Sequence, residues 1–147
     1  FINSSSAAEV RILESNVDAI DASATSAAKI ELKAKAESIK ADASSAANID
    51  IYTLCTHLVA KGASSADIEL SGKAKNLSID VSSAADADAD ELETSGEAVL
   101  SASSGAEISA WCNGTLKATA TSGADIDWKG KATAEVKKSS GGSVSRN

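Results

Sequence analysis

The residues able to do chemistry are few, and their spacing disfavours catalysis. His57 is the only histidine, so a histidine-based metal site is excluded and a Ser/His/Asp triad would need His57 beside an activated serine in a pocket. The two cysteines, Cys55 and Cys112, form no CxxC motif and no Cys/His cluster, which argues against structural zinc. We therefore predict no catalytic residue.

Carboxylates recur on both sides of single aliphatic residues. They are densest at Asp67, Glu69, Asp86 and Asp88, two pairs separated by one repeat of the sequence. If the chain winds so that these pairs stack about 5 Å apart, they could share a hard cation such as calcium. The alternative is that they only keep an exposed sheet face soluble and unaggregated. No cofactor other than calcium at this patch is indicated.

Three aromatic residues follow the same aliphatic positions. Tyr52 and Trp111 each stand three residues after one, which predicts a shared outward column where aromatic rings could stack on sugars. Trp128 stands two residues after one and is predicted to lie in the core. Tyr52 and Trp111 are therefore candidate ligand-binding residues, although an isolated surface aromatic is commoner than a sugar platform.

An internal repeat relates these positions to one another, and this repeat is the main feature of the chain. A Ser-rich hexapeptide followed by alternating apolar residues occurs eight times, with its last residue at Val10, Ile30, Ile49, Ile68, Ala87, Ile108, Ile126 and Val144. The intervals are 20, 19, 19, 19, 21, 18 and 18 residues. A fixed period of about nineteen residues indicates a solenoid.

Each repeat divides into a corner and strands. Serine occupies the position four before the aliphatic anchor in every copy, and small residues follow it, as expected where backbones crowd at a corner. Period-two alternation then predicts strands, as in Ile68-Glu69-Leu70 and Leu77-Ser78-Ile79-Asp80-Val81. With only four aromatic residues, the Ala-rich core must be thin. We predict one all-β domain over residues 1–147, a right-handed parallel β-helix of about eight turns.

Competing solenoids fit less well. A left-handed β-helix needs an aliphatic residue at every sixth position, but the positions after Ile126 are Ala132 and Lys138. The calcium-binding nonapeptide roll needs a Gly-Gly-x-Gly-x-Asp pattern, which is absent. In the predicted coil the two cysteines lie three turns, or about 14 Å, apart, which is too far for a disulfide.

The net charge of the chain restricts the classes of molecule that it can bind. The net charge of −7 and the isoelectric point near 4.7 argue against nucleic acid, which needs clustered lysine and arginine. No stretch approaches the length of a membrane-spanning helix, and no signal peptide is visible.

The corner Ser-Gly-Ala-Asp-Ile, the stretch ADIELSGKAKNLSIDVSSA and the ending IDWKGKATAEVKKSSGGSV resemble the putative auto-transporter adhesin, head GIN domain family of bacterial cell-envelope proteins. The resemblance is clearest from about Ala63 onward. The family has a proline in the last turn, where this chain has Lys131-Ala132. The resemblance implies a right-handed β-helix, export to the periplasm or cell surface, and an adhesive or structural role.

The sequence thus favours a non-enzymatic, exported β-helix module, adhesin-like or scaffolding, that meets a protein or glycan at the cell surface. The alternative is a carbohydrate-active module that binds or cleaves acidic polysaccharide with calcium, like pectate lyases. Because the turns are nearly constant in length, no loop is long enough to form the side of a substrate cleft. This favours the non-enzymatic module. Unpaired strand edges at the solenoid ends predict a homo-oligomer formed through ends or sides.

Overall fold

The computed structural model describes all residues from 1 to 147 and contains strands without a helix. Consequently no helix is present that could cross a membrane. The strands are β1 (Ile2–Ser5), β2 (Glu9–Thr25), β3 (Lys29–Ser44), β4 (Asn48–Ala63), β5 (Asp67–Ser82), β6 (Asp86–Thr94), β7 (Glu97–Ser103), β8 (Glu107–Cys112), β9 (Thr115–Thr121), β10 (Asp125–Lys129), β11 (Thr133–Ser139) and β12 (Ser143–Arg146).

Every strand pairs in parallel with the equivalent strand one turn away. The aliphatic anchors stack in register, with Ile30 opposite Ile49 and Ile49 opposite Ile68. The pairing order is β1-β2-β3-β4-β5, after which it divides into β6-β8-β10-β12 and β7-β9-β11. This confirms the predicted β-helix of about eight turns with about nineteen residues per turn.

The serine corners are left-handed turns. All eight corner serines have φ between +51° and +57°, and the residue after each has φ between +60° and +81°. In most corners a short backbone bond closes the turn, such as Ala28 N–H donating to the Thr25 carbonyl at 3.2 Å. Two positive φ values with this closing bond characterise a type I′ turn. Small residues are needed here because a branched side chain is strained at positive φ.

Hydrogen bonds between turns continue through the corners. The Ala46 N–H donates to the Ser64 carbonyl at 3.0 Å, and the Asp67 N–H donates to the Ala47 carbonyl at 2.9 Å. The same two bonds recur between most neighbouring turns. The corner serines, including Ser45, Ser64 and Ser83, therefore line one edge of the molecule, as the repeat predicted.

The core is a narrow column of side chains enclosed by the coil. Alternate residues of each strand point inward, so the anchors Ile30, Ile49 and Ile68 are at most 1% exposed. Alanine is the commonest of the buried residues, which gives a thin interior. Trp128 is buried near the last turn, as predicted, because it occupies an inward position that pairs with the buried Ala110 of the preceding turn.

The coil changes geometry at β6. In the N-terminal half (β2 to β5) each turn is one strand of 16 or 17 residues that bends at a second corner. In the C-terminal half (β6 to β12) each turn is split into two short strands. The break follows a bulge in β6, where Ala89 pairs with Ala110 but Glu93 pairs with Trp111, leaving three residues of β6 without partners in β8.

The two ends differ. In the last turn two inward columns end in cations, since Lys138 pairs with Ala120 and Arg146 with Trp128. The Arg146 guanidinium lies 5.0 Å from the centre of the Trp128 ring and donates to the Gly130 carbonyl at 2.7 Å. In the first turn, by contrast, the apolar Leu13 and Val17 are exposed.

Candidate functional site

The predicted acidic patch exists as two stacked columns on the exposed side of the anchor strands. Asp67 pairs with Asp86 and Glu69 with Asp88, so the carboxylates stand one strand spacing, about 4.8 Å, apart along the axis. All four residues are exposed. Asp67, Glu69 and Asp88 line a shallow groove of about 340 Å³. The four carboxylates stack as counting along the sequence predicts, because the register shift between β5 and β6 comes only after Glu69.

The acidic patch does not form a convergent set of metal ligands. No group of three or more His, Cys, Asp or Glu side chains is close enough to hold an ion. Calcium takes six to eight oxygen ligands, and two carboxylates from adjacent turns supply only part of that number. Water or a ligand carboxylate would have to complete the shell, and calcium at Asp67, Glu69, Asp86 and Asp88 stays a prediction.

Tyr52 and Trp111 face outward but do not share a column, which corrects the prediction from sequence. Tyr52 pairs with Ser71, which pairs with Glu91, whereas Trp111 pairs with Glu93 in the neighbouring column. The cause is the β6 bulge, because its extra residues shift every later position after the anchor. Counting from the nearest anchor cannot detect such a shift.

Each of these aromatic rings lies beside a lysine. The Lys33 Nζ is 5.6 Å from the centre of the Tyr52 ring, and the Lys129 Nζ is 5.4 Å from that of Trp111. Lys129 also forms a 3.0 Å ion pair with Asp90. Trp111 is only partly exposed, whereas Tyr52 retains 49% of its surface. Of the two rings, Tyr52 is therefore better placed to contact a ligand.

Several residues around Tyr52 were missed from the sequence. Leu54 is 39% exposed and pairs with Lys35 on one side and Lys73 on the other. These three residues occupy the fifth position after their anchors, so aligning that column of the repeat would have brought them together. They escaped notice because they lie beyond the columns next to the anchors, where the acidic residues stand.

His57 and the cysteines carry no catalytic arrangement. His57 is exposed and its Nδ1 lies 3.2 Å from the Asn76 amide, with no carboxylate orienting the ring. Both cysteines are free, as predicted. They belong to one column, in which Cys55 is followed by Ala74, Thr94 and Cys112 on successive turns.

The environment of the thiols opposes reactivity. Burial raises the pKa of the Cys55 thiol, although the Thr53 side chain partly offsets this effect. Burial also raises the pKa of the Cys112 thiol from 9.0 to about 11. Since the thiolate is the nucleophile, neither cysteine is activated near neutral pH.

The hollows on the surface are shallow. The largest, of about 540 Å³, lies beside Leu54 and Cys55 and is widely open to solvent. The next, of about 380 Å³, lies between Lys33 and Leu54 on the preceding turns. Both hollows are formed by side chains of adjacent turns rather than by inserted loops, because the turns are uniform in length.

Stacked outward columns with open hollows define a β-solenoid module that offers a surface rather than a pocket. The chain belongs to the family described as putative auto-transporter adhesin, head GIN domain, whose model matches residues 1–132. The chain is therefore an adhesin-like β-helix module of the cell-envelope or surface type. No curated protein and no solved structure matches the chain.

Proposed function

We propose that this protein is a non-enzymatic, exported β-helix module that acts at the cell surface in adhesion or scaffolding. The observation that carries the proposal is the regular outer wall, in which equivalent side chains repeat at strand spacing over about eight turns. Such a wall suits recognition of an extended partner with its own repeat.

The chemistry of the surface agrees with binding rather than turnover. His57 has only an amide for a partner, and both thiols are held protonated by burial. A general acid and base need a positioned pair of groups within reach of one substrate atom. The carboxylates of the acidic patch are exposed beside a shallow groove, which gives them no water-excluding walls.

Membership of this family supports the proposed location at the cell surface. The family is described as putative auto-transporter adhesin, head GIN domain, and this description is the basis for placing the module on the outside of the cell. The net charge of −7 would keep such a module soluble and discourage unspecific association with acidic surfaces.

The alternative function is a calcium-dependent carbohydrate-binding or carbohydrate-cleaving module at the acidic patch. It is favoured by one observation, the in-register stacking of Asp67 on Asp86 and of Glu69 on Asp88. Calcium could bridge these carboxylates to the carboxylate of an acidic sugar.

Two measurements separate these functions. For the proposed function, cells that carry the intact protein should be labelled by an antibody to residues 1–147 without permeabilisation and should adhere better than cells that lack those residues. Equal adherence by both strains, or labelling only after permeabilisation, would contradict the proposal.

For the alternative, the purified chain is applied to a glycan array with and without a chelator. Asp67→Asn with Asp86→Asn tests the patch, and Asp42→Asn with Asp80→Asn is the charge-matched control in another column. Calcium-dependent binding lost only in the first variant, or release of unsaturated sugar products, would establish the alternative.

A further inference from the structure

A basic and apolar patch is built into the N-terminal half of this acidic protein. It consists of Tyr52 and Leu54 with lysines on the turns before and after them, and we call it the lysine patch. Its members are Lys33, Lys35, Tyr52, Leu54, Lys73 and Lys75.

The geometry of the lysine patch follows from the register of the strands. Lys35, Leu54 and Lys73 are consecutive members of one outward column, so the two lysine positions are about 10 Å apart with Leu54 between them. Lys33 precedes Tyr52 in the adjacent column. The patch therefore runs along the axis of the coil and presents cationic and apolar groups in alternation.

The charge of the patch opposes that of the whole chain. Four lysines and two glutamates, Glu14 and Glu93, line its two hollows, whereas the protein carries −7 overall. Glu93 lies 3.5 Å from the Lys73 ammonium, and Lys35 and Lys75 have no carboxylate within ion-pair distance. The Lys73 pair with Glu93 is exposed and therefore weak, and Lys35 and Lys75 are unpaired, so lysines around exposed apolar groups are complementary to an anion that also has apolar faces.

The apolar members are exposed without a structural reason. Tyr52 and Leu54 contribute nothing to the core, since 49% and 39% of their surfaces are exposed. A grouped exposed patch rimmed by polar residues is characteristic of a binding surface. Trp111 contrasts with Tyr52, because a glutamate, Glu93, precedes Trp111 in its column, whereas Lys33 precedes Tyr52.

We propose that the lysine patch binds a linear polysaccharide of acidic sugars, with carboxylates on Lys35, Lys73 and Lys75 and a sugar face on Tyr52 and Leu54. This inference rests on the proposed adhesive function and names its ligand class. A polysaccharide fits better than a folded protein, because the patch is flat and open, with no deep pocket for an anchoring side chain. Its binding needs no calcium, unlike the alternative function at the acidic patch.

The test is affinity electrophoresis of the purified chain through gels that contain polygalacturonate, alginate or neutral dextran. We expect retardation by the uronate polymers, none by dextran, persistence in chelator, and weakening as salt rises because the contacts are exposed. Lys35→Glu with Lys73→Glu should weaken binding by roughly tenfold or more, and Tyr52→Ala by several-fold. The control, Lys61→Glu with Lys131→Glu, makes the same change of charge elsewhere and should alter binding by less than about twofold.

Four results would overturn the inference: no retardation by either uronate, equal loss in the patch and control variants, loss of binding in chelator, or capture of the chain only by vesicles of acidic phospholipid. The cell assay separates this from the proposed function. If cells with Lys35→Glu and Lys73→Glu adhere as well as those with the unaltered protein, the lysine patch is not the adhesive surface, although the module is. If cells without residues 1–147 adhere equally well, the adhesive function itself is wrong.

Discussion

The two halves of the coil form the second corner of each turn with different residues. In the N-terminal half the second corner contains no glycine, and the strand bends through it at Glu37, Thr56 and Lys75. In the C-terminal half the second corner is a break between two strands and contains Gly96 and Gly114. A smooth bend accepts side chains, whereas a sharp corner brings the backbones of adjacent turns too close for them.

The serine corners show a second difference. The residue after the corner serine is Ala46 in β3 to β4 but Gly123 in β9 to β10, although both have positive φ. Alanine is strained in this region and glycine is not. The second residue of the serine corner is thus strained in the N-terminal half, whereas the C-terminal half has glycine at that position and again at its second corner.

The largest expected effect is at the second corner. A Cβ atom on Gly114 would lie 2.1 Å from the Gly96 carbonyl oxygen, so Gly114→Ala must displace the backbone. We expect the free energy of unfolding to fall by about 2–4 kcal/mol in urea denaturation. The control is Thr56→Ala in the bend of the N-terminal half, which should lower it by less than about 0.5 kcal/mol. Equal effects at the two sites would remove the distinction between bend and corner.

The serine corners should respond with opposite signs. Gly123 has no atom within 4 Å of a built Cβ, so Gly123→Ala introduces only backbone strain and should destabilise the fold by about 0.5–1 kcal/mol. Ala46→Gly relieves strain but loosens the unfolded chain, and should stabilise the fold by up to about 0.5 kcal/mol. Thermal unfolding of both variants beside the unaltered chain measures this. A shift of the same sign in both would show that the corners are not equivalent.

The smallest effect concerns the two thiols, which share a column but lie in different halves. Cys55 is half-buried and Cys112 buried, so alkylation of the native protein should modify Cys55 first and Cys112 only on unfolding. Burial raises the pKa of Cys112 from 9.0 to about 11, so the folded state holds this proton more firmly than the unfolded state. The resulting stability is present in full below pH 9 and is lost as pH rises toward 11.

Cys112→Ala removes this contribution, so the variant should lose less stability than the unaltered chain between pH 9 and 11. Cys55→Ala is the matched control, with a smaller change. Identical alkaline profiles for the unaltered chain and Cys112→Ala would show that the thiol does not titrate as its burial implies.

Much of the fold could be predicted from the sequence because each turn repeats the same pattern of residues. The serine column predicted the corner edge, and alternation predicted which residues face inward, since the period of a strand is two. The acidic patch was found for the same reason. Trp111 was misplaced because the β6 bulge adds residues without changing the apolar pattern on either side. The lysine patch was missed because its members are distant in sequence and lie beyond the columns nearest the anchors.

By itself the sequence determined the solenoid, its period, its corner edge and the composition of its core, because all of these depend on contacts between equivalent residues of adjacent turns. Only the tertiary structure decided the register across β6, the neighbours of each aromatic ring and the cationic ending of the inward columns. Those features depend on how backbones of unequal length are fitted together, and the bulge in β6 changes the pairing of the residues between it and the second corner, such as Glu93 with Trp111.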